Sequence, residues 1–227
     1  MAVRQPLPHP PLMLITGDVA GGADLTKRCL QAIEGGIRWI QIRAVQGSGD
    51  SLPARIVCET AQRLLQNPEV TVVINDRLDT ALAVGSGLHL RADGIETAQV
   101  RRLIPNGRLL GRSVHSWEEI DAIGPLLDYV QIGPVFDTAS KRRYGAPLGT
   151  GQVTAAARKL GEHADRAALV AVGGIDERHI EKLAGCGADG AAVIGAIWNV
   201  ADVAAAAATL TDRAKLAWPE SRLRGSS

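Results

Sequence analysis

Short apolar runs in this 227-residue chain end repeatedly in residues able to hold an anion or move a proton. "WIQIR" closes on Gln41 and Arg43, "VVINDR" on Asn75, Asp76 and Arg77, "GLHLRAD" on His89, Arg91 and Asp93, and "GRSVH" on Arg112, Ser113 and His115. "IGPVFDTASKRRYG" adds Thr138, Ser140, Lys141, Arg142 and Arg143, while "VAVGGI" and "VIGAI" supply Gly174, Ile194 and Gly195. Cations, hydroxyls and glycine backbone N–H groups are together the chemistry of phosphate or pyrophosphate recognition. Lys141 reads as facing such a ligand, whereas Arg142 and Arg143 read as solvated surface cations. Asp76 could hold Mg²⁺, a hard cation that prefers oxygen ligands. Alternatively, Asn75 or Asp76 could cap the helix that follows. His89 and His115 are acid–base candidates, with His115 the one retained.

These residues act together only if the elements preceding them end at one place. Eight apolar runs recur, at 12–15, 39–42, 71–74, 87–90, 109–114, 129–133, 169–173 and 191–195. They are short and mostly aliphatic, as expected of strands covered on both faces of a parallel sheet. Between them lie amphipathic stretches of helical length, such as 24–35, with Asp24 as expected N-cap and Gly35 as stop. A second such stretch is 176–187, with Asp176 as cap and Gly185 as stop. Eight alternations predict a single-domain α/β fold, a closed (βα)8 TIM barrel, with a doubly wound open sheet as the second choice. In such a barrel the loops after the strands gather at one face, so these polar side chains would share a rim. The expected boundaries are a flexible N-terminal segment at 1–11, the barrel at 12–217 and a C-terminal tail at 218–227.

Composition limits the remaining classes. Hydrophobic residues make up 46% and charged residues 22%, enough for a buried core. A formal net charge of +1 and 3% aromatics exclude a global nucleic-acid footprint, so the basic character is local. No apolar run is long enough to predict a membrane span. Prolines at 6, 8, 10 and 11 argue against a signal-peptide helix. Three widely spaced cysteines without a CxxC pair suggest reduced thiols and a cytoplasmic protein. The oligomeric state, including a homo-oligomer, is left open.

"IQIRA", "VINDRLDTALAVGSGLHL", "GRSVHS", "DYVQIGPVFDTASK", "VAVGGI" and "GADGAAVIGAI" together resemble, in order and spacing, the thiamine phosphate synthase family, including its TenI branch. The resemblance runs from about residue 12 to about residue 200. It implies a (βα)8 barrel and a transferase that joins hydroxymethylpyrimidine diphosphate to a thiazole phosphate, giving thiamine phosphate and pyrophosphate. By matching position, it implies that Gln41, Arg43, Asn75, Ser113 and Lys141 hold the pyrimidine diphosphate. Asp76 would bind Mg²⁺. Thr138, Ser140, Gly174, Ile194 and Gly195 would hold the thiazole phosphate.

Some positions differ from the family pattern. Gln-x-Arg-Glu-Lys after strand 2 reads here Gln41-Ile42-Arg43-Ala44-Val45. The family's Gly-Gln-Glu/Asp-Asp after strand 4 reads Arg91-Ala92-Asp93-Gly94, so the second metal ligand falls on Gly94 and Asp93 stands one residue early. Three readings follow: a synthase using Mg²⁺, a TenI-type thiazole tautomerase needing no metal and using His115 as base, and a non-catalytic regulatory protein that binds a phosphorylated ligand. The synthase comes first, with Arg43, Lys141 and His115 as catalytic candidates.

Overall fold

The computed structural model describes residues 4–19, 22–43, 52–122, 126–138, 146–162 and 166–220. Eight parallel strands close in sequence order: β1 (Leu12–Ile15), β2 (Trp39–Ile42), β3 (Thr71–Asn75), β4 (Gly87–Leu90), β5 (Leu110–Val114), β6 (Tyr129–Ile132), β7 (Ala168–Val172) and β8 (Gly190–Val193), which pairs back onto β1. Around them run α1 (Gly22–Glu34), α2 (Ala54–Leu64), α3 (Leu78–Val84), α4 (Thr97–Arg101), α5 (Gly149–Gly161), α6 (Ile180–Gly185), α7 (Gly195–Trp198) and α8 (Val203–Ala217), with a 3-10 turn at Glu118–Ala122. The closed (βα)8 barrel expected from the sequence is the fold, and the strands begin or end within about two residues of the apolar runs.

The period of two along each strand sends side chains alternately to two cores. Outward residues such as Leu12, Leu14, Ile40 and Ile42 pack under the helices. Inward residues, Met13, Ile15, Trp39, Val73, Tyr129, Val170 and Ala192, fill the barrel. β2 and β6 share a pattern, aromatic-x-Gln-Ile, and sit on opposite sides of the barrel. Their aromatics meet edge to face, with Trp39 and Tyr129 ring centroids 4.9 Å apart. Tyr129 fits because its neighbour on β5 is Gly111, where a Cβ would lie 2.0 Å from the phenol ring.

At the N-terminal ends of the strands, two aspartates tie neighbouring elements together. Asp128 Oδ2 accepts from the Leu110 N–H at 2.7 Å and from Arg101 Nη1 at 3.0 Å. Asp189 Oδ2 accepts from the Leu169 N–H at 2.7 Å, and both its oxygens receive Arg166, at 2.5 and 2.8 Å. Gln5 N also donates to Asp128, and Leu7 packs against the barrel interior, so residues before Leu12 join the packing. At the other end Trp218 is buried and donates its Nε1–H to Ala188 O, one residue past the expected barrel boundary.

Helix starts differ from the expectation. α1 begins at Gly22, which puts Asp24 in its first turn rather than at the cap. Asp176 accepts from the Arg178 N–H in a turn that precedes α6, whose N-cap is His179. α3 starts after Arg77, so neither Asn75 nor Asp76 caps it. Glycine stops fare better: α1 ends at Glu34, just before Gly35, and α6 ends at Gly185, while Gly85, at φ 66°, ends α3 in the left-handed conformation that a side chain would resist. Cys29 is buried in α1 and its thiol is pushed up to about 12 by burial. Cys58 and Cys186 are half-buried free thiols. Among the described residues, no helix is long and apolar enough to cross a membrane.

Candidate active site

The inward positions turn polar at the C-terminal ends of the strands. Gln131 of β6 donates Nε2 to Gln41 Oε1 at 2.9 Å and to Met13 Sδ at 3.0 Å. Gln41 in turn donates Nε2 to Asn75 Oδ1 at 2.9 Å. Both glutamines are buried, where an unmade hydrogen bond would cost about 1–3 kcal/mol, so the relay has one favourable direction. It commits the Asn75 oxygen and leaves the Asn75 amide NH₂ as the end that can face a ligand.

A second buried chain runs alongside. His89 Nδ1 lies 3.1 Å from the Tyr129 hydroxyl and Nε2 lies 2.9 Å from Ser113 Oγ. Burial lowers the imidazole to about 3, so the ring is neutral, with one nitrogen donating and the other accepting. Burial also raises the Tyr129 phenol, so it stays protonated. The chain therefore holds Ser113 Oγ at the mouth without carrying charge.

Arg43 follows β2 on a backbone anchored to Thr16. Its N–H donates to Thr16 Oγ1 at 2.9 Å, and the same hydroxyl donates to Arg43 O at 3.1 Å. Arg43 Nε is shut off from solvent and has no hydrogen-bond partner among the described residues. A guanidinium nitrogen in that position is a donor awaiting an acceptor.

The next two strand ends carry opposite charges. Asp76 takes φ 56°, an uncommon conformation that aspartate tolerates better than most residues, while its N–H bonds His89 O at 2.8 Å. Its carboxylate lies 3.7 Å from Arg91 Nη1. Arg91 is gripped by Asp93 through two parallel bonds, Nε to Oδ1 at 3.0 Å and Nη2 to Oδ2 at 2.6 Å. Arg91 holds the Asp93 carboxyl below its ordinary range, chiefly by this hydrogen bonding. Arg112, expected among the ligand-facing cations, has another use. Its guanidinium donates to Ile95 O, Thr97 Oγ1, Ala92 O and Gly94 O, at 2.8 to 3.2 Å, and so braces the loop between β4 and α4.

Beyond β5, His115 is exposed at the rim. Nδ1 lies 3.1 Å from Gly133 O, which can only accept, so that nitrogen carries a proton. Thr138 is the last described residue of the loop after β6; Ser140, Lys141, Arg142 and Arg143 lie outside the described residues. That loop is joined to β7 by Val135 N to Val172 O at 2.9 Å and Phe136 N to Gly173 O at 3.0 Å. Gly174, at φ 67°, presses on it so closely that a Cβ would lie 2.6 Å from Asp137 O. Ile194 precedes α7 and packs on the barrel interior, and Gly195 is the first residue of α7.

Gln41, Arg43, Asn75, Asp76, Asp93, Ser113, His115, Thr138, Gly174, Ile194 and Gly195 thus all stand at or just beyond the C-terminal ends of barrel strands. Sequence reasoning missed Gln131, Tyr129 and Thr16, which hold the mouth residues from below. The repeated aromatic-x-Gln-Ile of β2 and β6 was the signal for the first two; for Thr16 there was none.

Two carboxylates were expected to hold Mg²⁺. Asp76 faces a guanidinium, and Asp93 is engaged by that same guanidinium. No group of three or more His, Cys, Asp or Glu residues suited to a metal occurs among the described residues. A dication beside Asp76 would also meet the positive charge of Arg91, which already occupies both carboxylates. With Arg91 in this position, the donor set does not fit the ion.

Comparison with known proteins gives a consistent answer. The family model described as "Thiamine monophosphate synthase" matches residues 12–197. The thiamine-phosphate synthase of Methanoculleus marisnigri is 35% identical over 214 residues, covering 93% of this chain and 98% of that one. The thiamine-phosphate synthase of Anaeromyxobacter dehalogenans is 36% identical over 196 residues, covering 85% and 84%. Among solved structures, thiamine phosphate pyrophosphorylase from Pyrococcus furiosus superimposes with a TM-score of 0.73 at 25% identity, over 91% of this chain and 96% of that one.

Proposed function

The chain belongs to the thiamine monophosphate synthase family, and from that premise we propose that it is a transferase joining hydroxymethylpyrimidine diphosphate to a thiazole phosphate. The products are thiamine phosphate and pyrophosphate. The bond between the pyrimidine methylene and the diphosphate oxygen breaks, its electron pair leaving with pyrophosphate. The lone pair of the thiazole nitrogen then forms the new carbon–nitrogen bond. Such a step gains most from fixed charges and dipoles aimed at the departing anion and the cation it leaves behind.

The observation that carries this reading is the pairing of Arg43 Nε, buried and without a partner among the described residues, with the Gln131–Gln41–Asn75 relay, which crosses the barrel from β6 to the neighbouring ends of β2 and β3. Arg43 would meet the diphosphate oxygens. Asn75 NH₂ and Ser113 Oγ, each oriented by a buried chain, would fix the pyrimidine end. The neutral His89 beneath Ser113 adds no positive charge where a pyrimidine-methyl cation develops. Thr138, Gly174, Ile194 and Gly195 would line the seat of the thiazole phosphate; by the family resemblance Ser140 would join them and Lys141 would meet the diphosphate, both outside the described residues. Family membership accords with a synthase that needs Mg²⁺, but the carboxylates at this mouth do not fit one, and no step here is routed through it. The isomerase alternative would use His115 as base. Its exposed ring offers that chemistry no enclosure from water, which favours the transferase.

The test is direct. The full chain is mixed with both phosphorylated substrates, with and without Mg²⁺, and thiamine phosphate is followed by chromatography. Product should form with an equal amount of pyrophosphate, and Arg43→Ala should lower kcat/KM roughly a hundredfold. No product at high enzyme concentration rejects the assignment.

A further inference from the structure

The mouths of β3 and β4 hold a charge arrangement that the transferase reading does not explain. Asp76 Oδ2 lies 3.7 Å from Arg91 Nη1, too long for a hydrogen bond but close enough for ion pairing. The other edge of the same guanidinium, Nε and Nη2, is fully engaged by Asp93. Asp93 therefore acts as a clamp that fixes the plane of the guanidinium, and Nη1 is left with its hydrogens available. Gly94 completes the arrangement. A Cβ there would stand 3.2 Å from Asp76 Oδ1, so a carboxylate at position 94 would share space with the Asp76 carboxylate. Two such carboxylates side by side would call for a cation between them. Here the second carboxylate is missing and a cation is covalently attached three residues earlier.

We propose that Arg91, oriented by Asp93 and paired with Asp76, is a tethered replacement for a divalent metal, so that the chain binds the diphosphate portion of its ligand without a metal ion. The inference rests on the transferase reading for the identity of the anion. A guanidinium suits the task because it stays charged at every working pH and offers planar paired donors to phosphate oxygens. The side chain is 58% exposed, so Nη1 reaches the open mouth instead of being sealed into the wall. Asp76 then balances the charge of Arg91 until the anion arrives, rather than ligating an ion.

Inorganic pyrophosphate binding to the full chain, measured by calorimetry in EDTA and again in Mg²⁺, tests this. The expected result is a Kd that differs by less than threefold between the two conditions. Arg91→Ala should weaken binding in EDTA by tenfold or more. Mn²⁺ binding, followed by the loss of its free EPR signal, should be absent in the parent chain and present in an Arg91→Gly/Gly94→Asp double variant. A parent Kd threefold or more weaker in EDTA overturns the inference and leaves the transferase reading standing, as does an Arg91→Ala variant that binds like the parent. Metal-independent pyrophosphate binding without formation of thiamine phosphate overturns the transferase reading alone. No binding in either condition overturns both.

Discussion

A neutral imidazole buried beneath a reactive mouth has consequences that reach beyond the mouth. His89 is held near 3 by burial, whereas in the unfolded chain it titrates near 6.5. Below pH 6.5 the unfolded state takes up a proton that the native state refuses. The native state therefore loses stability as pH falls from about 6.5 toward 3, at about 1.4 kcal/mol per pH unit, and above pH 6.5 the effect is absent. Urea unfolding at pH 7.5, 6, 5 and 4 should show this slope, and His89→Gln should flatten it relative to the parent while losing stability at pH 7.5. Parallel slopes for the two proteins would mean that His89 is not held neutral. Gln41, Asn75 and Ser113 were legible from the sequence as ligand-facing residues because each ends an apolar run. Their dependence on Gln131, Tyr129 and His89 was not, since a partner on another strand lies 90 or 24 residues away. Arg112 shows the opposite failure. An arginine at a strand end reads as an anion site, and only the fold reveals four acceptors in the neighbouring loop.

Strands were the most readable elements because burial on both faces writes itself as a short continuous apolar run. Helix beginnings were the least readable. Asp24 and Asp176 look like caps by residue type, yet α1 starts two residues before Asp24 and α6 four residues after Asp176. No sequence rule distinguishes an N-cap aspartate from one that serves an adjacent turn. Glycines carry element-level information of two kinds. Gly111 gives up its side chain to the Tyr129 ring, so Gly111→Ala must displace the ring or the β5–β6 pairing and should cost about 2–3 kcal/mol. Gly151 lies inside α5 without a positive φ, and a Cβ added there would meet nothing within 4 Å, so Gly151→Ala should stabilise by about 0.5–1 kcal/mol. Urea midpoints for the two variants should move in opposite directions. Movement in the same direction would show that the packing around Tyr129 has room to yield.

The two ends of the barrel divide the labour. At the C-terminal end of the strands the polar groups face a cavity mouth, and several have donors left over. At the N-terminal end two aspartates are fully engaged by the protein itself, Asp128 by Leu110, Arg101 and Gln5, and Asp189 by Leu169 and Arg166. The Asp128 side chain is 4% exposed and that of Arg101 is 15% exposed, so removing the carboxylate strands both a buried backbone N–H and a guanidinium. Breaking such a pair from one side costs about 3–5 kcal/mol, more than a pair exposed to water would. Asp128→Ala should therefore lower the unfolding free energy by about that amount. It should leave pyrophosphate affinity within twofold at a temperature where the chain stays folded, because the lesion sits at the far end of strands that the interior aromatics hold in register. Arg43→Ala should do the reverse, weakening pyrophosphate binding tenfold or more while moving stability by less than about 1 kcal/mol. If Asp128→Ala weakened binding as much as Arg43→Ala did, strain would be travelling the length of the barrel, and the separation of a stability end from a chemical end would not hold for this chain.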